Sequence, residues 1–266
     1  MSAGGKAAGR GAQHIIAKLV EKAGVRRSVW AVNRAARSAA RDAEKAVARD
    51  ALRRGEARAP KELLRDLEHN MVRRLTDADR AAIKAFHTEA SAAEKKITSR
   101  VEAVAGGRLA GKEFALKSEG SLARKVAEKV GIKGKPVDAA LRDVKDSVRY
   151  TMTFPPSEYT HGAEDAISRM RNAGFEPVEL KNSWGRERGY LGINSVWRDP
   201  ETGHLFEMQF HTEASLAAKE GTHPIYDFTR VPGLDPSVAG TLGRWHDDVF
   251  TKVPRPPGAA GVRWPE

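Results

Sequence analysis

The chain has 266 residues, enough for one large domain or two small ones. It contains no cysteine, which excludes disulfides and thiolate metal sites, and no run approaches the roughly 20 apolar residues of a membrane span. The net charge of +11 is concentrated at one end: residues 1–100 hold 23 Lys and Arg against 12 Asp and Glu, whereas residues 101–266 hold 23 of each. An excess placed this way suggests an anionic partner such as nucleic acid, with a solvated arginine-rich helical face as the alternative.

Met1 to Gly11 is small and basic, and the apolar run from His14 to Val20 is broken by Lys18, so no secretory signal is read there. Residues 12–105 are rich in Ala, Arg, Glu and Lys and poor in Gly and Pro, a composition that predicts three or four weakly apolar helices. Ile15, Ile16, Leu19, Val20 and Val25 keep a partly helical spacing. Leu63, Leu64, Leu67, Met71, Val72 and Leu75 share one helical face, and Thr76-Asp77 marks the start of a helix running through Ile97.

At Gly106-Gly107 and Gly111 the composition changes and aromatic, β-branched and Pro residues begin. The predicted organisation is a basic helical region over 1–105, an α+β domain over 106–253 and a mobile Pro-rich tail over 254–266. Within the middle unit, helices are predicted over Ser121–Val130, closed by Gly131, and over Pro136–Val144. A strand follows over Val148–Phe154, then a helix over Glu158–Asn172 stopped by Gly174. Strands over Phe175–Lys181, Leu191–Arg198 and His204–His211 come next, the last two joined as a hairpin by the turn Asp199–Gly203. Helices are predicted over Thr212–Glu220, Pro224–Arg230 and Pro236–Thr251. The strand–helix–strand run from Val148 to Lys181 reads as a βαβ-type unit in a mixed sheet with flanking helices.

The chemistry is clearest in the last strand. Phe206, Met208 and Phe210 alternate with Glu207, Gln209 and His211, so one face can enter a core while a carboxylate, an amide and an imidazole line the other. An ordinary half-exposed hairpin alternates in the same way. Upstream, Ser121, four residues beyond Lys117, shares a helix face with Lys125, a spacing that by itself reads as a plain basic amphipathic helix. Asp143 and Asp146 precede Arg149, and a magnesium ion needs such hard oxygen ligands. Asp146 shares parity with Val148 and Tyr150, so it reaches the polar face only if the strand starts after it.

Taken in order, these pieces resemble the synthetase domain of the RelA/SpoT family, over roughly Phe114 to Arg230. The resemblance rests on Lys117-x-x-x-Ser121-x-x-x-Lys125, on Gly189-Tyr190, on Glu207-Met208-Gln209-Phe210-His211-Thr212, and on Glu220-Gly221-Thr222-His223-Pro224-Ile225-Tyr226. It implies a nucleotidyltransferase-like fold and transfer of the terminal pyrophosphate of ATP to the 3′-hydroxyl of a nucleotide, with Mg2+. In that reading Glu207, Asp146 and Gln209 are catalytic, and Asp146 and Glu207 hold the metal, with Asp143 as the alternative to Asp146. Lys117, Ser121, Lys125, Arg149 and Lys181 bind ATP and its phosphates, and Arg186 and Arg188 could assist. Tyr190 stacks on the acceptor base, with Asn194, Asn182 and His211 beside it.

The chain departs from the family at Ala115, where an arginine is usual, at Gly192 and Asn194, where Ser and His are common, and at His211, which replaces an arginine. His223 and Tyr226 are expected to hold the terminal helices against the sheet. His246-Asp247 lies too near the C-terminus to be the family's hydrolase pair, so synthesis without hydrolysis is expected. An unopposed synthetase would be growth-inhibitory and toxin-like, acting in the cytoplasm, made there or delivered into a target cell. The basic helical region would then meet tRNA or an antitoxin or immunity protein. The acceptor could be a guanosine nucleotide, an adenosine nucleotide or the 3′ end of tRNA. The alternative is a catalytically degenerate nucleic-acid-binding or phage-structural module.

Overall fold

The computed structural model describes residues 4–56, 58–105, 108–231 and 233–264, with side chains from residue 18 onward. The predicted boundary at Gly106-Gly107 and the side chains of Ile15 and Ile16 lie outside the described residues. Three helices come first, α1 (Gly4–Arg53), α2 (Pro60–Arg73) and α3 (Asp77–Ala105). Then follow β1 (Leu109–Ala110), α4 (Glu119–Lys133), α5 (Val137–Arg142), β2 (Val148–Thr153), α6 (Tyr159–Asn172) and β3 (Glu176–Asn182). The chain continues through β4 (Ile193–Arg198), β5 (Leu205–His211), α7 (Glu213–Phe228) and α8 (Pro236–Phe250).

The five strands form one mixed sheet in the order β1-β2-β5-β4-β3, with β2 parallel to β5 and the other neighbours antiparallel. The crossover from β2 through α6 to β3 therefore skips two positions, which the β4–β5 hairpin fills. One face of the sheet is apolar because alternate side chains point the same way: Val148, Tyr150, Met152, Phe206, Met208, Phe210, Ile193 and Trp197 are all buried. Helix α3 covers part of this face, where the Thr98 and Tyr150 hydroxyls pair at 2.7 Å. Helix α6 covers another part, with the Tyr159 hydroxyl donating to the Phe210 carbonyl at 2.8 Å.

The N-terminal helices share this core. Val32 and Ala36 of α1 and Ala90, Ala93 and Ile97 of α3 belong to the same buried apolar cluster as the strands. Helix α1 lies along α7 at close range: a Cβ on Gly221 would stand 2.6 Å from the Ala36 methyl, so only glycine fits that crossing. A second cluster joins α2, α3, α4 and α5 through Met71, Ile83, Leu122, Val126 and Leu141. A third joins α1, α2, α7 and α8 through Val47, Leu63, Ile225, Phe228 and Leu242. Among the described residues no helix is long and apolar enough to cross a membrane.

Several predicted elements need correction. Helix α3 starts where Thr76 predicts, with a reciprocal cap between Thr76 and Asp79, but continues to Ala105 rather than ending at Ile97. Helix α4 is closed by Gly134 at φ 63°, not by Gly131. The two helices predicted on either side of Gly221 are one, with Pro224 inside α7. Proline removes one intrahelical bond, and burial of Ile225 and Phe228 on the continuing face offsets that loss. The tail is anchored rather than mobile: Asn182 Nδ2 donates to the carbonyls of Ala259 at 2.8 Å and Val262 at 3.0 Å, and Trp264 packs edge-on against Trp197. The edge strand β1 had no sequence signal, since two residues are too few for alternation.

Candidate active site

The polar face of the sheet follows from the register. Arg149 stands opposite Glu207, Thr151 opposite Gln209, and Asn194 opposite Gln209 on the other side. Segment Ala115–Lys117 adds to the free edge of β2: Arg149 N–H donates to the Ala115 carbonyl and Lys117 N–H to the Ser147 carbonyl, both at 2.8 Å. Because β2 begins at Val148, Asp146 lies outside the strand and is free of its parity, so it turns to the polar side. There Lys117 Nζ lies 3.4 Å and Lys125 Nζ 2.5 Å from its two carboxylate oxygens. Ser118 caps α4 by accepting from Ser121 N–H at 3.3 Å, which fixes the helix that carries Lys125.

Two adjoining cavities open over this floor. One, of about 280 Å3, has Lys117, Ser121, Asp146 and Arg149 in its walls. The other, of about 240 Å3, has Thr151, Leu216, Lys219 and Glu220. Phe114 and Arg149 line both, so the two meet at these side chains and are treated together as one cleft. A chain of polar contacts leads from the cleft into the sheet: Lys219, which lines the second cavity, donates through Nζ to Gln209 Oε1 at 2.5 Å, and Gln209 Nε2 donates to Glu207 Oε2 at 2.8 Å, while Gln209 and Glu207 themselves line neither cavity. The amide thus ties the lysine of α7 to the carboxylate of β5.

Charge in the cleft is unevenly matched. Burial works to raise the Asp146 pKa, but Lys125, Lys117 and Arg149 overbalance it and hold the carboxyl below its ordinary range. Burial pushes Glu207 up; Arg149 opposes this and Asp146 adds to it, so the two carboxylates feel one another. Burial also lowers Lys219, with Arg149 adding repulsion, to about 8. Lys117 is lowered by burial against the pull of Asp146. Among the described residues no group of three His, Asp or Glu could hold a metal on its own. Asp146 and Glu207 are hard oxygen donors of the kind a magnesium ion shares with phosphate oxygens and water, and here Asp146 is paired with Lys117 and Lys125 and Glu207 with Gln209.

The predicted residues divide. Lys117, Ser121, Asp146 and Arg149 line the first cavity; Lys125, Glu207 and Gln209 line neither but adjoin residues that do, Lys125 through Asp146, Glu207 by register with Arg149, and Gln209 through Lys219. Asp143 stands apart: its carboxylate, beyond α5, pairs with Lys135 and Lys129 and lines neither cavity. Lys181 shares the polar face but stands on the far edge strand, largely exposed and paired with Glu179. Asn182 is on the opposite face, where its amide holds the tail and accepts from Trp184 N–H. Arg186 and Arg188 are exposed. His223 and Tyr226 do not brace the sheet; they stack on one another at the surface, and Tyr226 is 57 % exposed.

Tyr190, Asn194 and His211 form a structural triad. The Tyr190 hydroxyl donates to Asn194 Oδ1 at 2.6 Å and pairs with His211 Nε2 at 2.9 Å, while His211 Nδ1 pairs with Ser215 Oγ at 2.8 Å. His211 is fully buried, which holds its pKa well below the ordinary imidazole range and keeps the ring neutral. A Cβ on Gly192 would stand 2.7 Å from His211 Cε1 and 2.8 Å from the Tyr190 hydroxyl oxygen, so this triad excludes serine there. Sequence reasoning missed Lys219, Thr151 and Phe114. Lys219 lies two turns beyond the Thr212 cap of α7, and the start of that helix on the polar-face strand was the available signal. Compared with protein-family models, curated proteins and solved structures, the chain matches none.

Proposed function

We propose that the cleft is the active site of a magnesium-dependent pyrophosphokinase of the RelA/SpoT synthetase type. The observation that carries this reading is geometric: Lys117 and Lys125 meet on Asp146 at one end of the cleft, and Arg149, which lines it, stands opposite Glu207, which Gln209 ties to Lys219. In the proposed reaction the acceptor 3′-oxygen forms a bond to the β-phosphorus of ATP, the bond between that phosphorus and the α-phosphate bridging oxygen breaks, and AMP leaves. Glu207 takes the hydroxyl proton, its burial making it a stronger base than an exposed carboxylate. Gln209 orients Glu207 through its amide, and Lys219 fixes Gln209. Lys117, Lys125 and Arg149 neutralise phosphate oxygens as charge develops, the main work in such a transfer. Asp146 and Glu207 would hold Mg2+, which supplies Lewis-acid stabilisation of the phosphates.

The test is direct. Purified protein is incubated with γ-labelled ATP, magnesium and separate pools of guanosine nucleotides, adenosine nucleotides and tRNA. Label moving to one acceptor in the wild type, and not in Glu207→Gln, is the expected result. No transfer to any pool, with both proteins alike, favours the degenerate nucleic-acid-binding or phage-structural module instead.

A second surface suits an RNA partner. The solvent face of α1 exposes Arg26, Arg27, Trp30, Arg34, Arg37, Arg41 and Lys45, mostly at steps of three or four residues. At 1.5 Å per residue this stripe is about 28 Å long. The Arg34 guanidinium lies over the Trp30 ring at 5.4 Å from its centroid. Such a stripe suits the phosphates of a tRNA, and an acidic antitoxin or immunity protein would cover it by the same charge. Replacing Arg34, Arg37 and Arg41 by Gln should reduce the salt dependence of tRNA binding by about two in log–log slope. In this reading the protein acts where ATP is available, in the cytoplasm, and unopposed synthesis would inhibit growth.

A further inference from the structure

Phe114 is 73 % exposed, yet it stands at the junction of the two cavities and lines both. Exposed apolar side chains are common singly, but the position of this one is fixed on both sides. Upstream, Gly111 at φ 59° starts the short 3-10 turn Lys112–Phe114, and Phe114 N–H donates to the Gly111 carbonyl at 3.0 Å. Downstream, Ala115 is buried and its carbonyl is held by Arg149 N–H. The backbone under Phe114 is therefore braced against the edge of β2. Beside the ring, the Arg149 side chain enters no hydrogen bond or ion pair with the described residues, although it faces both cavities. Tyr190, the aromatic that the sequence singles out, is differently placed: its hydroxyl is engaged by Asn194 and His211, its ring meets His211 and Phe250 edge-on, and it lines neither cavity.

We infer that Phe114 is the base platform of a nucleoside triphosphate site: the nucleobase of the donor stacks on its ring, and the phosphates run over Arg149 between Lys219 and Lys117. This rests on the pyrophosphokinase reading and adds to it the residue that recognises the nucleoside part of the donor. Stacking on an aromatic side chain contributes roughly 1–3 kcal/mol per base. A cationic cleft without a platform would bind any polyphosphate equally, whereas this one should prefer a polyphosphate that carries a base.

The test measures binding, without turnover. Titration calorimetry on the full chain compares α,β-methylene-ATP with inorganic tripolyphosphate, both with magnesium. The wild type is expected to bind the nucleotide about tenfold more tightly than tripolyphosphate, within the range that one stacked base supplies. Phe114→Ala should lose this preference while keeping its tripolyphosphate affinity, Phe114→Trp should retain it, and Tyr190→Phe should leave it unchanged. A preference that survives in Phe114→Ala, or that disappears in Tyr190→Phe instead, overturns the inference and leaves the pyrophosphokinase reading intact. A wild type that binds neither compound overturns both. Circular dichroism confirms that each variant is folded before its binding is compared.

Discussion

Asp146→Asn separates what this carboxylate does for the fold from what it does for a ligand. It accepts from Lys125 at 2.5 Å and lies 3.4 Å from Lys117, with side chains 18 %, 34 % and 19 % exposed respectively. Breaking a fully buried pair costs about 3–5 kcal/mol and an exposed one about 0–1. Intermediate exposure and solvent screening give about 2 kcal/mol here, which for a chain of this size lowers Tm by roughly 4–8 °C. The folded-state pKa of Asp146 is depressed. Its contribution is therefore complete above the unfolded carboxylate pKa near ~4 and is lost as pH falls through the lower folded value. The gap in Tm between the two proteins should accordingly be full at neutral pH and close in acid. Ligand binding should change in the opposite sense. With EDTA, Asp146→Asn should bind pyrophosphate more tightly than the wild type, because two ammonium groups have lost their internal counter-ion. With magnesium, the wild type should gain affinity and the variant should gain little. Scanning calorimetry and titration calorimetry read the two effects. An unchanged Tm together with an equal magnesium gain in both proteins refutes the reasoning.

The other expectations follow from single contacts. Glu207→Gln should lower the transfer rate about 10²–10⁴-fold and, as the loss of a proposed magnesium ligand, should also reduce the magnesium-dependent gain in nucleotide affinity; because burial raises the Glu207 pKa, wild-type activity should fall on the acid side at a higher pH than an exposed carboxylate would give. Lys219 loses its charge above about 8, so tripolyphosphate affinity should drop as pH rises past that value in the wild type and stay flatter in Lys219→Met, measured by calorimetry across pH 6–10. Asn182→Ala removes two bonds to the tail carbonyls, which should cost about 1–3 kcal/mol by denaturant melt and speed tryptic cleavage after Arg263 without altering polyphosphate binding.

Much of the fold is legible in the sequence where a pattern repeats often enough to be counted. The strands carrying Val148 to Met152 and Phe206 to Phe210 alternate over three apolar positions each, and both form as expected. Where one residue decides, local reading fails. Pro224 signals a helix break, yet Ile225 and Phe228 are buried against α1, α2 and α8, and tertiary packing prevails over local preference. The tail has four prolines among its last 13 residues, but nothing in those prolines reveals that Asn182 and Trp197 will receive it. The same division holds in the cleft. Glu207 and Gln209 announce themselves by parity. Lys219 does not, because its partner is ten residues away on another element and the pair is brought together only when α7 folds back over the strand it follows. The family resemblance places Asn182 with the acceptor, but the two-residue period of a strand sends it to the face opposite Lys181.

The uneven charge of the cleft is itself an argument about what occupies it. Lys117, Lys125, Arg149 and Lys219 converge on Asp146 and Glu207, and the shared Arg149 side chain has no direct ion pair among the described residues. A group of cations assembled only to stabilise the fold would be expected to settle into matched pairs, as Arg230 does with Glu128 and Arg124 with Glu68 elsewhere in this chain. Here, instead, burial lowers the pKa values of Lys117 and Lys219, so their protein surroundings alone disfavour the charges they carry. A polyphosphate would reverse that balance by supplying the missing negative charge, and its binding should raise the Lys219 pKa and take up protons near pH 8. Calorimetry in two buffers of different ionisation enthalpy detects this uptake. Binding without proton uptake at that pH would mean that the phosphates do not approach Lys219, and that the polar chain through Gln209 to Glu207 does not serve the ligand.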